Sequence, residues 1–131
     1  MIGSRGPQML AVTLPHVALW NGWYAWTGNN PAGYQTLHAV VDAAAEAVGK
    51  EPSGVERTMA ILLRFPDEDG PVDPRATLIQ GEVEVLARAV LDLAAVGVQH
   101  IQVVLEPCSP QSVERFSRAL EMIRAGTAVS A

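Results

Sequence analysis

A short turn near the start of the chain carries residues whose types and spacing suit the binding of an anion. The segment Gly3-Ser4-Arg5-Gly6 is followed by Pro7, which favours the first turn of a helix. Free backbone N–H groups and the helix dipole attract a phosphate there, and glycine allows close approach to the backbone. Ser4 adds a hydroxyl group and Arg5 a positive charge. These residues suit an anion-binding turn, but for an isolated chain the sequence favours a loose terminal segment and leaves the anion site open.

Aromatic residues crowd into one region and form the second candidate for ligand contact. They are Trp20, Trp23, Tyr24, Trp26 and Tyr34. Aromatic rings can stack on a flavin ring or a sugar, or they can pack against one another at the end of a hydrophobic core. The sequence favours packing and leaves stacking open.

The remaining reactive side chains form no catalytic constellation. His100 lies in a predicted strand, where a core histidine is more common than a base, and neither His16 nor His38 has an evident partner. No base lies near Cys108 in sequence, which favours a passive thiol. The segment Asp67-Glu68-Asp69-Gly70 lacks the EF-hand spacing, which favours a solvated loop over a calcium site. Catalytic residues stay unknown, and no metal site is predicted.

The composition limits the size and the partners of the molecule. A chain of 131 residues suffices for one domain, and its apolar fraction of 49% suffices for a core. The charged fraction of 18% is below the ~25% of an average soluble domain, which indicates that something else covers part of the surface. The net charge of −5 argues against nucleic acid or an anionic membrane as a partner.

The cysteine content and the hydropathy of the chain indicate its cellular compartment. Its single cysteine, Cys108, excludes an internal disulfide. No apolar stretch approaches the ~20 residues of a membrane-spanning helix. Together these features predict a cytoplasmic protein without a membrane segment.

Strands and helices are expected to alternate along the chain. The strands are predicted at 17–20, 57–65 and 98–105, and the helices at 7–14, 34–50, 82–96 and 110–125. Pro15 is expected to end or kink the first helix, and Gly49, Gly97 and Gly126 to end the later ones. The end of the last strand, Val103-Val104-Leu105, is apolar enough to be covered on both faces. The order predicts βαβ units and an α/β fold with parallel strands.

Several of these segments resemble luciferase-like flavin-dependent oxidoreductases, in the right order. The first is Ile2-Gly3-Ser4-Arg5-Gly6-Pro7-Gln8-Met9-Leu10, which leads into Leu19-Trp20-Asn21. The second is Gly97-Val98-Gln99-His100-Ile101-Gln102-Val103-Val104, followed by Pro107 and by Ser109-Pro110 at the start of the last helix. Each piece alone is weak, but together they cover about residues 1–125.

The resemblance implies an incomplete barrel. In this family the fold is a (β/α)₈ TIM barrel of ~250 residues, and these segments are its C-terminal part. Residues 1–126 are therefore expected to form the C-terminal portion of a luciferase-like barrel, and residues 127–131 a frayed tail. The partner is expected to be the missing N-terminal half-barrel or a second copy in a homo-oligomer.

The resemblance also implies a cofactor and an activity. The cofactor would be FMN or the deazaflavin coenzyme F420, with its phosphate bound by Gly3, Ser4, Arg5 and Gly6. The family's enzymes are oxidoreductases that transfer a hydride, and many are monooxygenases. Their substrate-side catalytic residues lie mostly in the N-terminal half, so the chain is expected to be inactive alone. Two alternatives stay open: a non-catalytic interaction module that self-associates through its barrel edges, and a small active flavin binder.

Overall fold

Parallel strands alternate with helices in the computed structural model, which describes residues 1–71, 74 and 77–130. The strands are β1 (Leu19–Gly22), β2 (Glu56–Arg64), β3 (Ile79–Gln80) and β4 (His100–Leu105). The helices are α1 (Pro7–Thr13), α2 (Tyr24–Thr27), α3 (Pro31–Ala47), α4 (Val83–Ala95) and α5 (Pro110–Ser130). The segment Asp67-Glu68-Asp69-Gly70, predicted as a solvated loop, lies within the described residues, whereas position 131 of the predicted tail lies outside them.

The sheet is open, and all of its strands are parallel. β1 pairs with one edge of β2 and β4 with the other, while the short β3 pairs with the end of β2. Ile2 extends the sheet beyond β1 through a parallel bridge to Trp20. The Ile2 N–H donates to the Leu19 carbonyl over 3.0 Å, and the Asn21 N–H donates to the Ile2 carbonyl over 2.7 Å. The spatial order Ile2, β1, β2, β4 therefore follows the sequence.

Each of these four strand positions is followed by a helix. α1 follows Ile2, α3 follows β1, α4 follows β2 and α5 follows β4. Four parallel strand–helix units in sequential order are half of the eight that make a (β/α)₈ barrel. Within the described ranges, no helix has both the length and the apolar character needed to span a membrane.

The centre of the molecule is β2, which is buried on both faces. Every residue between its two ends is buried. Met59, Ile61 and Leu63 belong to the main core, together with residues from the surrounding helices. Because side chains alternate along a strand, Ala60 and Leu62 face the opposite side of the sheet, and they are also buried.

Two glycines end helices as predicted, and one does not. Gly49 and Gly97 have positive φ angles of 73° and 98° just beyond α3 and α4. Gly126 instead lies inside α5, which continues to Ser130. A Cβ atom at Gly126 would lie 2.8 Å from Leu91 Cδ1, so glycine here allows α5 to approach α4 closely. The division into residues 1–126 and a frayed tail 127–131 stays a prediction.

The first strand begins later than its pattern predicts. α1 ends at Thr13, as Pro15 predicts, but a 3₁₀ turn continues from Leu14 to His16. The Lys50 ammonium donates hydrogen bonds to the carbonyls of Leu14 and Val17 and fixes the exit of this turn. The chain enters the sheet only at Leu19.

Residues 21–33 lie outside the strands and helices predicted from the sequence, but they contain regular structure. They hold the end of β1, the short helix α2 and the start of α3 at Pro31. The side chain of Asn30 caps α3 by accepting the Gly33 N–H over 2.9 Å, and Pro31 occupies the first helical position. The Asn-Pro pair that indicates a turn is therefore also a helix start.

The prediction that β4 is covered on both faces is wrong. Its residues from Ile101 to Leu105 are only partly buried, and His100 is exposed. Within the described residues β4 pairs with β2 alone, so it forms one open edge of the sheet. His100 is accordingly not the core histidine that the sequence favours.

Candidate functional site

A cavity of about 540 Å³ opens at the carboxyl ends of the first two strand positions. Its lining residues are Gly3, Arg5, Asn21, Trp23, Ala25 and Trp26. Small-molecule sites commonly measure ~300–1,000 Å³, so the volume suits a cofactor fragment. In (β/α)₈ barrels the active site lies at this end of the strands, in the loops that follow them.

The turn from Gly3 to Gly6 is held at both of its ends. The Trp20 indole N–H donates to the Ser4 carbonyl over 2.7 Å, and the Leu10 N–H donates to the Gly6 carbonyl over 3.0 Å as α1 begins. The turn is therefore attached to β1 and to α1, in contrast to the loose segment considered above. Among the described residues, nothing accepts a hydrogen bond from the backbone N–H groups of residues 3–6.

Arg5 supplies the positive charge of the cavity. Its side chain is exposed, and its guanidinium carbon lies 5.3 Å from the centre of the Trp26 ring. A cation–π contact of this kind holds the side chain without neutralising its charge. Within the described part of the chain Arg5 has no carboxylate partner, so the charge is available to an anion.

The fold itself does not require glycine at the two ends of the turn. Neither Gly3 nor Gly6 has a positive φ angle. A Cβ at Gly3 would meet nothing closer than the Asn21 carbonyl at 3.5 Å, and one at Gly6 would meet nothing within 4 Å. The space around both residues is therefore open to a ligand. The hydroxyl of Ser4, between them, is buried and has no hydrogen-bond partner among the described residues.

The structure divides the aromatic cluster into two groups. Trp20, Tyr24 and Tyr34 are buried in the core, so the packing interpretation holds for these three. Trp23 and Trp26 line the cavity instead, where stacking on a ligand is possible. Both are carried by α2 and its N-cap, an element that the sequence analysis did not predict.

Asn29 holds the loop after β1 against the sheet, a role that was not predicted from the sequence. Its carboxamide donates to the Leu62 carbonyl over 2.7 Å and accepts the Leu62 N–H over 3.1 Å. It also donates to the Thr77 carbonyl over 3.0 Å. Asn29 thus pairs with β2 between the end of β1 and the start of β3, and holds the loop after β1 against the sheet. The run Gly28-Asn29-Asn30-Pro31 indicated only a turn.

The other candidate residues lie away from the cavity or have structural partners. Cys108 is exposed, and Glu68 accepts a hydrogen bond from the Ser109 hydroxyl over 3.3 Å. Asp67 forms an ion pair with Arg115, with an N–O distance of 3.2 Å. Over the described ranges, no group of histidine, cysteine and acidic residues is arranged to hold a metal ion.

A second polar cluster lies at the opposite, amino ends of the strands. There Asp42 accepts a hydrogen bond from the buried guanidinium of Arg57. The Asp42 carboxylate also lies 3.5 Å from His38 Nε2, so His38 has a partner that the sequence did not reveal. A cavity of about 270 Å³ adjoins these residues. Burial raises the pKa of the neighbouring Tyr34 to about 12 although the positive charge of Arg57 opposes the shift. In barrels of this type the amino ends of the strands mainly contribute stability.

Two solved structures share this fold. One is an F420-dependent secondary alcohol dehydrogenase in complex with an F420-acetone adduct, 13% identical in sequence, with a TM-score of 0.67. The other is the coenzyme F420-dependent tetrahydromethanopterin reductase from Methanopyrus kandleri, 14% identical, with a TM-score of 0.60. Each match covers 92% of this chain and 47% of the other chain, so this chain spans about half the length of either enzyme.

These comparisons establish the fold class. This chain matches about half of each enzyme, and the matching part is an open sheet of parallel strands with helices between them. The predicted α/β fold, a partial (β/α)₈ TIM barrel, is therefore confirmed. Comparison with models of known protein families and with curated proteins gives no match.

Proposed function

We propose that this chain forms the cofactor-binding half of a deazaflavin-dependent oxidoreductase, with the phosphate of coenzyme F420 bound at Gly3, Ser4, Arg5 and Gly6. The observation that carries the proposal is the cavity at the carboxyl ends of the strands, with the unpaired charge of Arg5 at its wall. When bound, the deazaflavin would carry the hydride that the reaction transfers.

The residues of the turn fit an anionic group. The N–H groups of residues 3–6 are free to donate, and Arg5 adds a charge-assisted hydrogen bond. The open space at Gly3 and Gly6 lets an oxygen atom approach the backbone. The turn therefore binds the phosphate, and its attachment to β1 through Trp20 holds it in position at the cavity.

The choice of F420 over FMN follows from the fold neighbours. Both are described as F420-dependent, one as a dehydrogenase and the other as a reductase. We therefore propose hydride transfer by a deazaflavin and retain FMN as the competing ligand in the test. In this proposal Trp23 and Trp26, which line the same cavity as Gly3, contact the cofactor.

The proposal is tested by titrating the full chain with coenzyme F420, and in parallel with FMN, while ligand fluorescence is recorded. Arg5→Gln removes the charge and keeps a polar side chain, so we expect it to weaken F420 binding about 10- to 100-fold. Arg88→Gln is the matched control, because Arg88 is an exposed arginine on α4 that pairs only with Asp92 among the described residues. Equal affinities of the two variants, or no F420 binding by the unmodified chain, would refute the proposal.

A further inference from the structure

Exposed apolar side chains are concentrated at the two open edges of the half-barrel. One edge is formed by Ile2 with α1, and the other by β4 with α5. The exposed large apolar residues of these edge elements, within the described part of the chain, are Met1, Met9, Val12, Val113, Leu120 and Met122. The inner helices α3 and α4 carry only Val40 and Val85. Most of the exposed large apolar residues therefore lie at the two edges of the half-barrel.

On each edge helix, two of these exposed residues share a face. Met9 and Val12 are three positions apart on α1 and are 57% and 67% exposed. Val113 and Leu120 are seven positions apart on α5, so they also share a face. α1 contains no charged residue, so no desolvation of a charge opposes its burial. α1 packs against α3 and α5 packs against α4, while Met9, Val12, Val113 and Leu120 remain exposed among the described residues.

The two edges match in strand direction, and the number of strand–helix units in two chains matches that of a barrel. All strands of the sheet are parallel, so β4 of one copy and the Ile2 segment of another can pair in parallel around a common axis. Each chain supplies four strand–helix units, and two chains supply the eight of a closed barrel. In such a barrel α5 of one copy is the neighbour of α1 of the other, which places the two apolar faces against each other.

We propose that two copies of this chain close a single eight-stranded barrel. β4 and α5 of each copy contact the Ile2 segment and α1 of the other, and the two contacts are related by a twofold axis. Both edges of both copies are used, so the assembly stops at the dimer. One consequence of this dimer rests on the proposed function. The carboxyl end of β4 from the second copy would lie beside the Gly3–Gly6 turn and complete the cofactor site.

The mass of the full chain in solution, measured by light scattering during size-exclusion chromatography without cofactor, tests this inference. We expect twice the 14.0 kDa of one chain. Met9→Asp and Val113→Asp each place a charge in the contact and are expected to raise the dimer dissociation constant at least about tenfold. Val85→Asp is the matched control, because Val85, like Met9, is the third residue of its helix and is similarly exposed.

The outcomes separate this inference from the proposed function. A monomer of the unmodified chain, an open series of larger assemblies, or a dimer weakened by Val85→Asp but not by Met9→Asp would each overturn the closed barrel. Circular dichroism of every variant shows whether a loss of mass reflects dissociation of folded chains. A dimer that binds no F420 would refute the proposed function alone, and a monomer that binds F420 would refute the dimer alone.

Discussion

At the scale of single residues, Tyr34 combines a buried ring with a hydroxyl group that has no hydrogen-bond partner among the described residues. Burial raises the pKa of this hydroxyl from 10.0 to about 12, and the nearby Arg57 only partly opposes the shift. The folded state therefore holds the proton more tightly than the unfolded state does. The contribution of the protonated Tyr34 hydroxyl to the free energy of unfolding is fully present below pH 10 and is lost as the pH rises from about 10 to about 12.

Tyr34→Phe is expected to remove this alkaline loss. Because pH 11 lies about one pKa unit above the unfolded value and below the folded value of about 12, the unmodified chain should lose about 1 kcal/mol more stability than the variant between pH 8 and pH 11. At neutral pH the variant should be as stable as the parent or more so, because no buried hydroxyl is left without a partner. Urea unfolding of both proteins at pH 8 and at pH 11 measures the difference. A variant destabilised by more than about 1 kcal/mol at pH 8 would contradict this account.

Gly33 is the glycine that the packing of α2 on α3 requires. A Cβ atom at this position would lie 1.8 Å from the Thr27 carbonyl oxygen. Gly33→Ala is therefore expected to lower the free energy of unfolding by about 2 kcal/mol or more, since the two helices must separate. Gly6→Ala is the control and should change stability by less than about 1 kcal/mol, because nothing lies within 4 Å of its Cβ. Equal losses in urea unfolding would contradict the close contact.

The candidate site was only partly predictable at this scale. The glycine turn and the charge of Arg5 were visible in the sequence, because residue type and the adjacent Pro7 carry that information locally. The five aromatic residues were indistinguishable, since whether a ring faces the core or a cavity depends on the course of the chain after β1. His100 was wrongly predicted to be a core histidine because an edge strand and a buried strand share similar residue patterns.

At the scale of elements, the connection between β1 and α3 depends on the side chain of Asn29. It makes three hydrogen bonds to the main chain, two of them to Leu62. Loops without regular structure give no periodic pattern, so this pairing could not be inferred from sequence. The helices α1, α3, α4 and α5 and the strands β1, β2 and β4 were predicted because apolar periodicity marks them, with shifts of a few residues at their ends. The two-residue β3 was too short to produce a pattern.

Asn29→Ala is expected to destabilise the chain by about 2–4 kcal/mol, because the buried N–H and carbonyl of Leu62 lose their partner. Asn30→Ala removes the exposed cap of α3 and an exposed hydrogen bond to the Gly28 carbonyl, and should cost about 1 kcal/mol. Urea unfolding of the two variants measures both values. An Asn29→Ala variant no less stable than Asn30→Ala would show that the Asn29 carboxamide does not hold the loop.

At the scale of the whole molecule, four strand–helix units give half of a barrel, with the proposed cofactor site at the carboxyl ends of its strands. Alternation of elements predicted the α/β class, whereas the barrel itself was reached only through resemblance to known enzymes. Curvature and closure of a sheet arise from contacts between distant segments, which no local pattern records. The low charged fraction of 18% predicts a surface to be covered, and most of the exposed large apolar residues of the described chain lie at the two edges of the sheet.

The most direct test of the account is an amide NMR titration of the full chain with coenzyme F420. If the turn binds the phosphate, the backbone amide signals of residues 3–6 and the indole signals of Trp23 and Trp26 should shift first and furthest. The signals of Gln99 and Ser53, at the opposite ends of the strands, should remain in place. Saturating F420 that shifts no signal of residues 3–6, or shifts those of the opposite end instead, would contradict the assignment of the cofactor site.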